Sequence, residues 1–395
     1  MGASDAYERA GVNLEAGNLA SRRFFEASVS TWPNRAGEFG EPQTLTDGFS
    51  GVRGVSLSPL IELARQYPDA EFVQYHCADG LGNKPKVAQR VGRHDTVGED
   101  LVAMTADDAS AVGGEPISIT TTLVINTLGK KDDDPERKVR FSRYISELAE
   151  GIAVGANKAG IVIENGETAE HGKDVGGYGE FRYDWSGSVA WLGLRERLLD
   201  GSKVKAGDAV VALREEGFRC NGYSLVLKTL AMNLGHVWHT QEFKEGISWG
   251  EAVLRPSQIY SGVVKAMTGG YRPDIAPTAD ISAIAHITGG GIPEKLSRKL
   301  AGLGLGANLD NLFAPGEPMS KIQTLAKIDD TEMYNVFNMG QGLLVVSSDP
   351  DAVLAQTKKA GIKATIAGEI TKKPTIELKS RGNNQTEKKL VFPID

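Results

Sequence analysis

The chain has 395 residues, with 51 acidic against 44 basic side chains and a formal charge of -7. That length suits more than one hydrophobic core without disulfides or a structural metal, and the charge balance argues against a nucleic-acid surface. Two cysteines, Cys77 and Cys220, without CxxC spacing, and no apolar run near the roughly 20 residues that cross a bilayer, exclude a disulfide scaffold and a membrane span.

The opening stretch, MGASDAYERAGVNLEAG, lacks the basic and then apolar pattern of a secretory signal, so a cytoplasmic protein is expected. Residues 5–30 predict a loop and then a helix, and 31–54, dense in Gly, Pro and Asn, predict coil with short strands. SPLIELARQYPDA (58–70) predicts a helix capped by Ser58, with Pro59 at its first position, and EFVQYHCA (71–78) predicts a strand. The strand runs into ADGLGNKPK, where an aspartate, a glycine turn and two lysines stand at a strand end, the place where open sheets hold ligands. Helices are predicted over 100–114 and 142–160, and strands over 115–128, 161–170 and 184–194. The pattern restarts near residue 195, which predicts two domains, 1–195 and 196–395. Beyond it come a strand reaching 213, a helix over 221–235, and an apolar segment, three glycines and a basic helix over 279–300. A strand and a helix begun by Asp349 and Pro350 follow within 333–361, and the tail from 371 predicts half-exposed strand or a loose end. The alternation of helix and strand predicts mixed α and β layers.

Three polar knots lie between the apolar elements. Asp79, Gly80, Gly82, Asn83, Lys84 and Lys86 form one; Asp107 and Asp108 form the second, with Asp100, Thr105 and Glu115 nearby; Glu167, Thr168, Glu170 and His171 form the third. The plain reading of each is a water-facing turn or pair. The alternative is a phosphoryl-transfer site: adjacent carboxylates resist joint ionisation unless a cation neutralises them, and hard oxygen ligands suit Mg²⁺ bound with phosphate. Lysines and exposed N–H groups of a glycine turn would then meet phosphoryl oxygens. HITGGG (286–291) has the form of an anion nest feeding a helix N-terminus. No Walker spacing and no HExxH occur, and Cys77 reads as core and Cys220 as a possible pocket residue.

Quoted in order, YERAGVNLEAGN, ADGLGNKPKVA, RHDTVGEDLVAMTADD, GGEPI, NGETAE, DGSKVKAGD, NGYSLVLK, LRPSQIY, AHITGGGIPEKLSRKL and MYNVFNMGQGLLVV resemble the phosphoribosylformylglycinamidine cyclo-ligases, or AIR synthetases, across roughly residues 5–370. The resemblance implies an α+β, two-domain subunit, a homodimer whose N-terminal sheets pair, a ribonucleotide substrate, and ATP with Mg²⁺ in a cleft. Asp79 and Lys84 take the places of the aspartate and lysine in the family's DGxGTK turn. Asp108 takes that of its metal-associated aspartate, and Glu167 and Glu170 take those of the GETAE carboxylates. Asn221 and Gly222 match the substrate loop, and Gly289, Gly290 and Gly291 match the glycine run. The resemblance thereby implies a metal held by Asp79, Asp108 and Glu167. It implies nucleotide contacts from Gly80, Gly82, Asn83, Lys84, Asp107, Thr168 and the three glycines, with chemistry carried by Lys84, Asp108, Arg219 and Asn221.

Four changes, at five positions, depart from the family pattern. Asn83 stands for a threonine, Asp107 for an asparagine, Asn165 for a glycine, and Arg219-Cys220 for His-Ser. Arginine only donates, where histidine can also accept. Clustered at the knots, these changes leave three expectations in play: the cyclo-ligase itself, a related ATP-dependent enzyme with another small acceptor, and a nucleotide-binding protein without turnover.

Overall fold

A computed structural model of the chain describes residues 14–44, 53–129, 133–134 and 139–394. The start of YERAGVNLEAGN and most of KKDDDPERK lie outside the described residues.

Helix α1 (Leu14–Thr31) precedes strand β1 (Phe72–Gly80), helix α2 (Val97–Ala111), strand β2 (Glu115–Ile125), helix α3 (Phe141–Ala159), and strands β3 (Val162–Glu170) and β4 (Tyr183–Leu194). The strands form one sheet in the order β1-β4-β2-β3, antiparallel except for the β2–β3 pair. The helices lie over one face of it. Side chains alternate along each strand, so Ile119, Val189 and Trp185 are sealed in the core with Leu101 of α2, while the cross-strand neighbours Thr122 and Ser186 are exposed on the uncovered face. Each such sealed apolar side chain contributes about 1.5–3 kcal/mol.

The second sheet starts with β5 (Ala209–Arg214), followed by helix α4 (Tyr223–Leu234), β6 (Ile281–His286), helix α5 (Gly291–Leu300), β7 (Gly306–Leu309), helices α6 (Glu317–Ala326) and α7 (Asp330–Val336), β8 (Gln341–Ser347), helix α8 (Pro350–Lys359), β9 (Ala364–Thr371), β10 (Thr375–Lys379) and β11 (Lys389–Pro393). Its order is β6-β8-β5-β9-β7-β10-β11, with only β7–β10 parallel among the described strands. Both faces are covered. Val210 and Ala212 join one core and Val211 and Leu213 another, which is why AVVAL and GLLVV read as unbroken apolar runs.

The expected helices and strands appear, with shifted ends. Strand β1 continues through Asp79 and Gly80 instead of stopping at residue 78. Ser58 lies inside the helix Ser58–Gln66, whose cap position is Leu57, so the expected serine cap is absent. At Asp349 the cap does form, its side chain accepting the Ala352 N–H at 3.2 Å. Several elements had no counterpart in the sequence reading, among them β7, α6, α7 and β9.

The tail is not a loose end. β10 and β11 extend the second sheet, and Asp330 holds the segment before β11: its buried carboxylate accepts Ser380 Oγ at 2.5 Å, Gln323 Nε2 at 2.6 Å, and the N–H groups of Asn384 and Gln385 at 3.1 and 2.9 Å. Burial pushes that carboxyl up, but the hydrogen bonds from Ser380, Gln323 and the two backbone donors outweigh it and hold the group below the ordinary aspartate range. Asp330→Ala strands those donors and is expected to cost about 3 kcal/mol in urea unfolding at pH 7. A depressed folded pKa stabilises above the unfolded value, about 3.9. The difference between wild type and variant therefore persists to mildly acidic pH and shrinks as pH falls further.

Candidate active site

Helix α2 is buried on almost every side, and two of its acids are buried with it. Asp100 and Asp107, seven residues and so two turns apart, share a face and are both sealed from solvent. Asp100 accepts Lys84 Nζ at 2.7 Å and the Ser257 N–H and hydroxyl at 2.8 and 2.5 Å; the same ammonium donates to the Arg255 carbonyl at 2.7 Å. Asp107 accepts the N–H groups of Tyr260 and Ser261 at 2.8 and 3.0 Å. Both acids therefore grip the LRPSQIY segment, which lies between β5 and β6 in sequence.

Arg219 completes this buried network. Its backbone is left-handed, at φ 55°, and its guanidinium reaches Asp107 at 2.8 Å, Glu215 at 3.0 Å and the Gln258 carbonyl at 2.9 Å. Burial works against its charge, but Asp107 and Glu215 outweigh that and hold it above its ordinary range. Burial also pushes the Asp107 carboxyl up against the pull of Arg219. An arginine that keeps its proton, with two backbone donors, leaves the pair ionic.

The network reaches the cleft through His286. Arg219 Nη2 lies 2.8 Å from His286 Nε2, and His286 Nδ1 lies 2.6 Å from Asp108 Oδ1. Because the guanidinium only donates, Nε2 accepts, and the imidazole is neutral with its proton on Nδ1, aimed at Asp108. Burial raises the Asp108 carboxyl, while the hydrogen bond from His286 and the charges of Lys295 and Arg219 more than compensate, leaving it below its ordinary range. Asp79, at the tip of β1, is shifted upward by burial and by the Asp108 charge, against the Gly80 N–H that it accepts at 2.7 Å. Burial and the Asp108 charge likewise push the Cys77 thiol up, to about 11. The two aspartates thus feel each other, as expected of carboxylates meant to share a cation.

Glycine turns close the cleft from the other side. Gly82, at φ 54°, packs on the Cys220 carbonyl, and Asn83 Nδ2 donates to Ser224 Oγ at 2.8 Å, so the DGLGNK turn docks on the NGYS loop. Gly222 and Gly291 are left-handed, and a Cβ on either would strike Phe337 Cε1 at 2.2 Å or the Tyr334 carbonyl at 1.8 Å. Only glycine fits there. Asn221 Oδ1 lies beside Gly289, which joins the substrate loop to the glycine run where α5 begins.

The structure brings Asp79 near Asp108 and His286, and Asn221 beside Gly289, three residues past His286. It seals Lys84, Asp107 and Arg219 from solvent. Glu167 lies elsewhere in the subunit: β1 and β3 are opposite edges of the sheet, about 14 Å apart at 4.8 Å per strand step. Glu167 and Thr168 line a cavity of about 420 Å³ with Phe24, Phe25 and Arg53. A second cavity, of about 370 Å³, lies against Gly82, Asn83, Lys86, His171 and Asp174. Among the described residues no three His, Cys, Asp or Glu side chains gather as a ready-made metal cage. The Asp79–Asp108 pair, whose mutual repulsion a divalent ion would relieve, is the donor set that fits Mg²⁺. His286 and Lys295, which the sequence reading left unassigned, act on the same two aspartates, His286 by a hydrogen bond to Asp108 and Lys295 through its charge. His286 was legible only as part of HITGGG.

Two family profiles match the chain, that of the AIR synthase related protein N-terminal domain over residues 68–180 and that of its C-terminal domain over 205–381. A phosphoribosylformylglycinamidine cyclo-ligase of Desulfitobacterium hafniense is 33% identical over 370 residues, covering 93% of this chain and 96% of that protein. This chain belongs to the AIR synthetase family. Another cyclo-ligase, from Acetivibrio thermocellus, is 34% identical over 92% of this chain and 96% of its own length. Among solved structures the two-domain AIR synthetase fold is shared with the hydrogenase maturation protein HypE of E. coli, at a TM-score of 0.58, with 16% identity and coverage of 96% of this chain and 97% of that one. It is shared also with thiamine-monophosphate kinase from Stenotrophomonas maltophilia, at a TM-score of 0.54, 14% identity, and coverage of 81% and 87%. Among the described residues no helix is long and apolar enough to cross a membrane.

Removing the arginine of the buried network tests its structural weight. Arg219→Met leaves Asp107 and Glu215 sealed without their cation and is expected to lower stability by about 3–5 kcal/mol in denaturant unfolding. Arg219→Met combined with Asp107→Leu is expected to recover part of that loss.

Proposed function

We propose that this chain catalyses ATP-dependent closure of the imidazole ring of formylglycinamidine ribonucleotide, giving aminoimidazole ribonucleotide, in purine biosynthesis. The observation that carries the reading is identity of about one third to cyclo-ligases along nearly the whole of both chains. The placing of Asp79 near Asp108 and His286, and of Asn221 beside the glycine run, supports it. On this reading the protein works as two domains, 1–195 and 196–395, in the cytoplasm.

The formyl oxygen takes the terminal phosphoryl group of ATP as ADP leaves; the amidine nitrogen then attacks the activated carbon, phosphate departs with the oxygen, and the nitrogen loses a proton. Mg²⁺, when bound, would supply neutralisation of phosphoryl charge. Asp79 and Asp108 are the side chains that would hold it. His286 keeps Asp108 oriented by donating from Nδ1, and Arg219 fixes the tautomer that lets it do so. Asn221 and the N–H groups at the start of α5 orient anionic oxygens. Glu167 and Thr168, in their separate cavity, are assigned to the nucleotide.

A second reading, a related ATP-dependent enzyme acting on another small acceptor, rests on one observation: Arg219 and Cys220 stand where the family has histidine and serine. With ATP, Mg²⁺ and formylglycinamidine ribonucleotide, the purified protein is expected to form ADP, phosphate and the aminoimidazole in equal amounts. ADP formation that needs a different acceptor selects the second reading, and none with any acceptor excludes both. Asp108→Asn is expected to lower the rate about 100-fold or more, with little change in unfolding midpoint. A large midpoint shift with full residual activity would make Asp108 structural.

The homodimer belongs to the same proposal. The first sheet leaves one face uncovered, with Ala78, Thr120, Thr122 and Ser186 on it, and β1 is an edge strand with unpaired backbone groups. Light scattering is expected to give a mass near twice 42.2 kDa.

A further inference from the structure

Lys295 sits in α5, four residues past Gly291. One turn further on, Lys299 Nζ donates to the carbonyls of Ala111 at 3.1 Å and Leu199 at 3.0 Å, so this face of α5 runs along the C-terminal end of α2. Just before α5, His286 meets Asp108 at 2.6 Å. Lys295 is bracketed by these attachments, and its four-residue spacing from Lys299 puts it on the same helix face, beside Asp108. The side chain is half-buried and, among the described residues, has no carboxylate oxygen within 4.0 Å. Its charge is nevertheless felt at both Asp79 and Asp108.

Other cations of this chain are engaged differently. Lys84 and Arg219 are sealed and bonded to Asp100 and Asp107, and Lys86 lines the outer cavity. Exposed lysines such as Lys158 and Lys373 take neighbouring glutamates. An ammonium one turn from Lys299, close enough to Asp79 and Asp108 for its charge to be felt at both yet paired with neither, is placed for an anion that enters from outside.

We propose that Lys295 is the cation by which the C-terminal half contacts the polyphosphate of the nucleoside triphosphate. The inference rests on the ATP-dependent reading above and assigns to Lys295 the phosphate contact that the resemblance alone gives to Lys84.

Calorimetric titration of the full chain with the non-hydrolysable β,γ-imido analogue of ATP and Mg²⁺ tests it without turnover. Lys295→Gln is expected to weaken the Kd about 10-fold, Lys295→Arg to restore most of it, and Arg298→Gln, on the exposed side of the same helix, to bind as wild type. AMP, which lacks the polyphosphate, is expected to bind wild type and Lys295→Gln alike. Equal analogue affinity for wild type and a folded Lys295→Gln overturns the assignment and leaves the ATP reading standing. Equal loss for AMP and the triphosphate overturns it as well, since the effect would then lie away from the phosphates. A wild type that binds no triphosphate overturns both.

Discussion

The joint between the two halves depends on helix α2 carrying charge into the interior. Asp100 and Asp107 face away from water, and each is compensated by a cation and by backbone donors from the 254–261 segment. A sealed ion pair adds little net stability over apolar packing, because desolvation offsets the Coulomb gain. What it does supply is register: the carboxylates accept hydrogen bonds only when the segment lies at one depth and one rotation. Apolar contacts alone would tolerate sliding.

That register is transmitted to the cleft. Asp108 follows Asp107 directly, so when α2 is fixed by its inward acid, the next residue is fixed facing outward. Arg219 ties the Asp107 side of this arrangement to His286, and His286 returns to Asp108. The wall and the mouth of the cleft are thereby one hydrogen-bonded unit with contributions from α2, the loop after β5, and the end of β6. Asp107 and Arg219 form a matched carboxylate–guanidinium pair, and both are sealed from water.

Much of this was legible in the sequence, and the reasons for the exceptions are physical. Strands such as Phe72–Gly80 and helices such as Val97–Ala111 announced themselves because period and length agree. The glycine turns were readable because only glycine takes left-handed backbone cheaply. The fate of the charges was not readable. Nothing local distinguishes Asp107, sealed against Arg219, from Asp108 beside it, because the partner lies 112 residues away. Lys84 looked like a free cation for the same reason, its partner being 16 residues on and its second acceptor, the Arg255 carbonyl, 171 residues away. Lys295 was hidden among the basic residues of KLSRKL. Strand β7 and helices α6 and α7 escaped because they are short and lean on tertiary contacts more than on their own periodicity.

The anchoring of the tail by Asp330 also orders events during synthesis. Helix α7 is packed under the glycine run through Tyr334, and its other side is fastened by Ser380, Asn384 and Gln385. Helix α7, which packs under the glycine run, therefore gains its outer fastening only once residues 380–385 have been made, whereas the first sheet, complete by residue 194, is free to fold much earlier. A nascent chain thus carries one finished sheet for as long as the second is waiting for its last strands.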